Sequence, residues 1–329
     1  MSLLYIFQLK KFWFFFMKSY FKIVDGVLVA SSTGAGDVCF FTFPDELEKQ
    51  EILKTLNIDR YDLDSAFDKD EISRIEFTQD RVFVIWKNPT KISVGQELRF
   101  GVSSTAFFLQ KNTLTMIIAA DLSPFSSKEF QNVNSLIDVI LKYFFYTIRQ
   151  YLSQLKTINQ TTAELQSKIS SSMENRYLLQ MFDISESLIY YQNAIEANGA
   201  VLSKLRSNTE KQGFSKQQTD LLEDIILENA QCARQAQIYS TVLSGLMDAR
   251  GTIINNNMNV LLKTLAIINI VFLPLNLVAS IGGMSEYTLI MQELGVDWKL
   301  SYLLFILVLI PIAWLTMVIL NKYIGNGKK

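Results

Sequence analysis

The chain has 329 residues, with 31 Lys and Arg against 32 Asp and Glu, and a formal net charge of −1 at pH 7. A nucleic-acid-binding domain usually carries a basic surplus, so this charge balance predicts no nucleic-acid partner. The sequence contains no His and only two widely separated Cys, Cys39 and Cys232, which excludes a Ser-His-Asp triad, a His-ligated zinc site and a disulfide framework.

Residues 1–20 are rich in aromatic and aliphatic side chains. Lys10 and Lys11 interrupt the apolar run, so no uncharged piece is long enough to cross a membrane, and no signal-peptide cleavage site follows. We interpret residues 1–20 as an N-terminal apolar extension, in which the residues before Met17 are a non-native upstream addition and Met17 is the real start; an interfacial anchor is the alternative. Without a signal peptide, the part that follows is expected to stay in the cytoplasm.

The sequence of residues 21–125 predicts a cytoplasmic α/β domain. Enrichment in β-branched and aromatic residues predicts strands over Phe21–Ala30, Arg81–Lys87, Ser104–Leu109 and Thr113–Ala119. Charged stretches of helical character lie between them. This mixture is typical of a small domain in which short helices pack on a sheet.

The sequence of residues 126–262 predicts a long helical stalk. No proline occurs between Pro124 and Pro274, and apolar residues recur at spacings of three and four. The clearest break surrounds Gly213. We expect the last helix to begin near Ser215 and to run without a strong stop to Gly282, directly into the membrane.

Two uncharged apolar runs follow, Thr264–Ser285 and Leu300–Asn321. About 20 helical residues cross a hydrocarbon core of about 30 Å, so each run can span a bilayer. The predicted boundaries are transmembrane helix 1 over 263–285, an outer loop over 286–299, transmembrane helix 2 over 300–321, and a basic cytoplasmic tail over 322–329. The predicted fold class is therefore α+β: a cytoplasmic α/β domain, a long helical stalk and two C-terminal transmembrane helices.

The charges that flank these helices predict the topology. The connecting loop carries an acidic surplus, whereas the outer ends of the pair are basic, at Lys263, Lys322, Lys328 and Lys329. Basic flanks stay on the cytoplasmic side of a membrane. The sequence thus predicts a multi-pass protein of the cell (inner) membrane with both termini in the cytoplasm.

The first membrane helix carries a polar stripe. Asn269, Asn276, Ser280 and Gly283 follow one another at spacings of seven, four and three residues, which places them on one helix face. Asparagine inside a bilayer is costly unless a polar group or water meets it. Either the stripe packs against another helix, or several copies surround a pore with Leu273 as an apolar constriction. The second interpretation requires an oligomer, because two helices cannot enclose a conduit.

Several segments resemble the CorA magnesium-transporter family. Gly283-Met284-Ser285 is similar to the Gly-Met-Asn part of its Tyr-Gly-Met-Asn signature. Further similarity lies in the LSGLMD segment at 243–248, the segment that begins with Met-Asn at 258, the MQEL segment at 291–294 and the strand region at 74–87. The resemblance covers roughly residues 45–325 and is strongest over 240–294.

The resemblance implies a homo-oligomer, expected to be a pentamer, whose first membrane helix lines the pore. The pore-lining positions that it implies are Asn259, Leu262, Leu265, Leu273, Asn276, Ser280 and Gly283; Asn269 joins them from the stripe, and Met284 and Ser285 from the signature. This chain departs from the signature in two places, with Gly282 for the aromatic residue and Ser285 for the asparagine. A serine hydroxyl is shorter than an amide, so a ring of serines is wider and makes weaker contacts to a hydrated ion.

Four acidic residues complete the predicted site. The resemblance places Asp248 just below the pore and Asp224 at an inter-subunit regulatory metal site. A solvated stalk carboxylate is the alternative for Asp248, and Glu223 and Glu228 are alternatives to Asp224. Glu286 and Glu293 are expected to attract cations to the outer loop. For Glu293, a solvated loop carboxylate without a special role is an equally good interpretation.

The predicted function is transport of a divalent cation, Mg²⁺ first and Co²⁺ or Ni²⁺ next, through a homo-oligomeric channel. The expected partners are other copies of the chain, the lipid bilayer and divalent metal ions, the ion being substrate and possible regulatory ligand. The alternatives are a zinc transporter of the ZntB type and a non-conducting, membrane-anchored assembly or regulatory protein. No nucleophile–base pair, phosphate loop or cofactor motif was found, so neither an enzyme nor a bound cofactor is expected.

Overall fold

The computed structural model describes residues 17–31, 34–68, 70–94, 97–118, 130–171 and 175–325. The chain forms two compact units, the first ending at Met247 and the second beginning at Asp248. The boundary between the units thus falls inside the predicted stalk, 126–262. Residues 1–16 of the predicted extension and residues 326–329 of the predicted tail lie outside the described part.

In the described part of the first unit, seven strands form one sheet of order β2-β1-β3-β7-β6-β5-β4. The strands are β1 (Met17–Val24), β2 (Val27–Ala30), β3 (Val38–Thr42), β4 (Arg74–Phe77), β5 (Arg81–Val94), β6 (Glu97–Gln110) and β7 (Thr113–Ile118). Neighbouring strands are antiparallel, except that β3 pairs in parallel with β7, Val38 opposite Leu114.

The structure corrects the predicted strand at Phe21–Ala30. This segment is the larger part of a hairpin that turns at Asp25-Gly26, where both residues have positive φ, 48° and 75°. An Asp-Gly pair is a strong signal for such a turn, because glycine adopts positive φ without strain. The first strand also begins at Met17, which lies opposite Thr42 of β3. Residues 17–20 therefore belong to the sheet, and the predicted end of the extension at residue 20 is wrong.

The first unit contains α1 (Glu46–Leu56), α2 (Arg60–Asp64), α3 (Leu136–Ser171), α4 (Asn175–Arg206) and the beginning of α5 (Lys216–Gly282). The predicted start of α5 near Ser215 is confirmed by a reciprocal cap. The Ser215 N–H donates to Gln218 Oε1 (2.9 Å), and the Gln218 N–H donates to Ser215 Oγ (3.3 Å). Such a pair satisfies two amide groups that the first helical turn leaves without a partner.

Each face of the sheet covers its own hydrophobic cluster. Successive side chains of a strand point to opposite faces, and so Trp86 and Phe107 pack with α3, α4 and α5 whereas Phe83 and Phe108 pack with α1 and α2. Trp86 stacks on Phe144 of α3, with ring centroids 3.9 Å apart. These contacts bind the long helices to the sheet.

Asn198 of α4 joins that helix to strand β5. Its side-chain oxygen accepts from Ser73 Oγ (2.7 Å) and from the Lys87 N–H (3.0 Å), and its amide donates to the Lys87 carbonyl oxygen (2.9 Å). Pairing of β4 with β5 reaches only to Ile85. Beyond that point the amide of a helix takes the place of a neighbouring strand.

The second unit contains the end of α5, a short helix α6 (Ser285–Glu293) and α7 (Trp298–Gly325). Within the described residues, α5 and the Trp298–Val318 part of α7 are long and apolar enough to cross a membrane. Both predicted membrane segments are thus helical, but the helices end at other residues than predicted. The first helix stops at Gly282 rather than residue 285, and the second includes two residues of the predicted loop, 298–299, and four of the predicted tail, 322–325. The chain is an α+β protein with long helices and two apolar C-terminal helices, as predicted.

Candidate functional site

The polar stripe of α5 lies on the surface of the single chain. All its predicted pore-lining positions are exposed: Asn259, Leu262, Leu265, Asn269, Leu273, Asn276 and Ser280. Leu273 is 68 % exposed. Among the described residues, no hydrogen-bond partner meets the side chain of Asn269 or Asn276. An asparagine at membrane depth needs a polar partner, and the described part of this chain supplies none to Asn269 or Asn276.

Pro274 adds a polar group beside the stripe. It lies inside α5 and has no N–H, so it cannot donate the usual helical hydrogen bond to the carbonyl of Ile270. That carbonyl follows Asn269 directly in the chain. The middle of the stripe therefore combines an amide side chain with a backbone acceptor that is released from the regular helix pattern.

The predicted signature forms the turn between α5 and α6. The Gly283 N–H donates to the Ala279 carbonyl oxygen and the Met284 N–H to that of Ile281, both at 3.1 Å, so the turn continues the last helical turn. Met284 is extended, with φ −78° and ψ 146°, and precedes the first residue of α6, Ser285.

The hydroxyl of Ser285 lies beside a carboxylate. Its Oγ donates to Glu286 Oε2 at 3.3 Å, and both side chains are exposed. A hydroxyl that donates to a carboxylate keeps its lone pairs for other donors, such as the water shell of a cation. Glu293 is also exposed, and a separation of seven residues returns it to the helix face of Glu286. The turn and α6 thus present the Ser285 hydroxyl and the carboxylates of Glu286 and Glu293, and oxygen is the ligand type that hard divalent cations prefer.

The second membrane helix contacts this turn on both sides, which the sequence analysis missed. Gly282 is buried against Phe305, and Tyr287 forms hydrogen bonds with Ser301. Ser301 and Phe305 lie one turn apart on α7. No polar stripe marks a face of this apolar helix, so the sequence carried no signal for which of its residues meets the turn.

Asp248, predicted just below the pore, and Asp224, predicted at an inter-subunit regulatory metal site, are both exposed. Of the alternatives to Asp224, Glu223 is engaged in an ion pair with Arg206 (Nε–Oε1 2.5 Å), whereas Asp224 pairs with no described residue. In the part of a single chain that the structure describes, no three Cys, Asp or Glu side chains are grouped to hold a metal ion. Metal binding at Asp224 or Asp248 remains a prediction.

Comparison with known proteins identifies the family. The sequence profile described as "CorA-like Mg2+ transporter protein" matches residues 40–322. The chain belongs to this family. The predicted resemblance is therefore confirmed over nearly the whole chain, and a family of transporters agrees with the prediction of a non-enzymatic protein.

Two relatives and one solved structure show how far the similarity to CorA extends. The chain is 23 % identical over 256 residues to the cobalt/magnesium transport protein CorA of Methanocaldococcus jannaschii, covering 74 % of this chain and 77 % of that protein. Its identity to the protein of the same name from Thermotoga maritima is 24 % over 258 residues, covering 76 % and 71 %. The complete structure of the M. jannaschii CorA magnesium transporter superposes with a TM-score of 0.68 at 17 % identity, covering 92 % of this chain and 96 % of that one. The fold is thus that of CorA.

Proposed function

We propose that the chain transports divalent metal cations, Mg²⁺ first and Co²⁺ or Ni²⁺ next, as a homo-oligomeric CorA-type channel. The observation that carries this proposal is the exposed stripe of α5, whose asparagines have no partner among the described residues and which leads to the oxygen-bearing turn at Ser285. Family membership and the names of the two relatives support it. Since two helices cannot enclose a conduit, several copies are required, and we propose a pentamer.

In this proposal, the carboxylates of Glu286 and Glu293 raise the cation concentration at the outer mouth. Mg²⁺ gives up its water shell reluctantly, so the Ser285 hydroxyl and the Asn276 amide contact the water shell instead of the bare ion. A ring of Leu273 side chains forms the apolar constriction. At the other end of the stripe, Asp248 would attract ions to the pore.

A regulatory cation is the proposed ligand of Asp224. Its carboxylate is exposed and pairs with no described residue, so it is open to a cation shared with a second copy. Carboxylate pairs across a subunit boundary suit Mg²⁺. Such a site would couple the cytoplasmic metal concentration to the state of the oligomer.

We expect both termini to lie in the cytoplasm of a cell whose inner membrane holds the two apolar helices. The basic flank at Lys263 and the acidic residues of α6 set this orientation. Reporter fusions at either end of the chain, read in intact cells, measure it. Access to either terminus from outside would refute the arrangement.

The proposed function is tested by metal uptake into proteoliposomes, with Mg²⁺, Co²⁺, Ni²⁺ and Zn²⁺ measured in parallel. Uptake of Mg²⁺ in preference to Zn²⁺ is the expected result. A preference for Zn²⁺ would favour a transporter of the ZntB type. Failure to move any of the four ions, by protein shown to be assembled, would favour a membrane-anchored assembly or regulatory protein.

Ser285→Asn is expected to increase the apparent affinity for Mg²⁺ about fivefold, which corresponds to about 1 kcal/mol. The amide both donates to and accepts from the water shell and narrows the ring. Competition of Mg²⁺ with Co²⁺ and Zn²⁺ during uptake measures the effect. Thr288→Asn, at an exposed position of the same helix, is the matched control. An equal change in both variants would show that the effect is not specific to the turn.

A further inference from the structure

Gly282, and not its neighbour Gly283, is the sterically restricted glycine of the turn. An ideal Cβ at Gly282 would lie 2.5 Å from Cε2 and from Cζ of Phe305, closer than real Cβ contacts. At Gly283, the nearest atoms to a Cβ are backbone oxygens at 3.6 Å, an ordinary contact. The ring of Phe305 therefore occupies the volume that a side chain at Gly282 would need.

The same ring also contacts the chain beyond the turn. The rings of Phe305 and Tyr287 lie 5.8 Å apart between centroids, tilted by 60°. The Tyr287 hydroxyl donates to the Ser301 carbonyl oxygen (3.3 Å) and accepts from Ser301 Oγ (3.2 Å). Ser301 is only 4 % exposed, although most of the second unit's surface is open. One face of α7 thus contacts both Gly282, the residue before the turn, and Tyr287, in the first part of α6 after it.

We propose that Phe305 is a positioning residue for the turn Gly283–Ser285. Its ring, seated on Gly282 and against Tyr287, sets where the Ser285 hydroxyl and the Glu286 carboxylate stand at the mouth. The role in ion transport rests on the function proposed above. The inference also accounts for the departure at Gly282: a side chain of the first helix at this position would have to displace the aromatic ring that the second helix supplies.

A double-mutant cycle of Gly282→Ala and Phe305→Ala in the full-length protein tests this inference. The readout is the position of the turn, measured as the rate at which a membrane-impermeant maleimide labels a Ser285→Cys thiol in each background. Burial raises the pKa of the Cys39 thiol to about 11 and that of the Cys232 thiol to about 12, so the native thiols react slowly at neutral pH. Mass spectrometry of the labelled peptide assigns the site.

With Phe305 present, Gly282→Ala should change the labelling rate at least about threefold, because the added methyl displaces the ring; contacting residues commonly couple this strongly. With Phe305→Ala, the same methyl has room, and the rate should change by less than about 1.5-fold, as expected for uncoupled positions. Equal changes in both backgrounds would overturn the proposal.

Further variants separate positioning from general damage. Phe305→Leu keeps an apolar side chain next to Gly282, so its labelling rate should lie closer to the parent rate than that of Phe305→Ala does. Ile306→Ala changes an exposed neighbouring position of α7 and should leave the labelling rate at the parent value. Should Gly282→Ala alone fail to assemble, recovery of the oligomer in the double variant supports the proposal, and no recovery overturns it.

Ion uptake by the Gly282 and Phe305 variants, each with the native Ser285, connects the turn to transport. The Mg²⁺ concentration for half-maximal uptake should shift in Gly282→Ala relative to the parent, whereas adding Gly282→Ala to Phe305→Ala should cause no further shift, at an unchanged amount of oligomer. An uptake that stays unchanged while labelling shifts would overturn the link between the turn and the ion. If the parent protein moves no divalent cation, the proposed function fails, while the labelling cycle still decides the role of Phe305.

Discussion

Replacing Asn276 by leucine is expected to lower divalent-cation flux at least about tenfold while the oligomer stays assembled. The leucine removes the polar group of the stripe between Leu273 and Ser280. A hydrogen bond to a charged group contributes about 1.5–3 kcal/mol, and 1.4 kcal/mol corresponds to a tenfold change in an equilibrium constant. Uptake into proteoliposomes, with size-exclusion chromatography of the same preparation, gives both quantities.

Leu277→Ala is the matched control, because Leu277 is also exposed but lies one residue from the stripe. Its flux should stay within about twofold of the parent, as is usual for a surface substitution away from a site. Loss of the oligomer in Asn276→Leu would instead favour the interpretation of the stripe as a helix-packing surface. Unchanged flux through an intact oligomer would remove Asn276 from the pore.

Asn198→Leu should lower the free energy of unfolding of the first unit by about 3–5 kcal/mol, because a buried polar group that loses its partner costs about 1–3 kcal/mol. Three groups would lose this partner: the Ser73 hydroxyl, the Lys87 N–H and the Lys87 carbonyl. Asn198 is fully buried, so water cannot replace the amide. Denaturation of the purified full-length protein, followed by near-UV circular dichroism, measures the change.

Asn193→Leu makes the same chemical change on the same helix, at an exposed position. It is expected to alter stability by no more than about 0.5 kcal/mol. Similar losses in the two variants would mean that leucine harms the helix itself, and the bridge from α4 to β5 would then contribute little.

Features that depend on a short stretch of sequence were predicted well. The membrane helices follow from uncharged runs, since crossing a bilayer depends on length and polarity alone. The start of α5 directly after Ser215 follows from a cap that involves two nearby residues, Ser215 and Gln218. The hairpin at Asp25-Gly26 was not predicted, although this pair is a strong and local turn signal.

Strand pairing was not predictable in the same way. Strands β3 and β7 pair in parallel although more than 70 residues separate Val38 from Leu114 along the chain. A strand was predicted at β7 but none at Val38–Thr42, and apolar composition does not identify a strand's neighbour, because many strands offer the same backbone hydrogen bonds. Likewise, Asn198 looks like any other helical asparagine until β5 is placed beside it.

The sequence by itself determined the two membrane helices, the stripe on one face of the first, and the family, because spacing and charge are properties of the chain alone. Only the tertiary structure decided what holds the turn at Ser285. Helix α7 is apolar on every side, so its sequence favours no face over another. Steric repulsion acts between atoms in space: a Cβ at Gly282 would clash with the ring of Phe305, 23 residues further along the chain, unless that ring moved, and only the packed helices bring the two together.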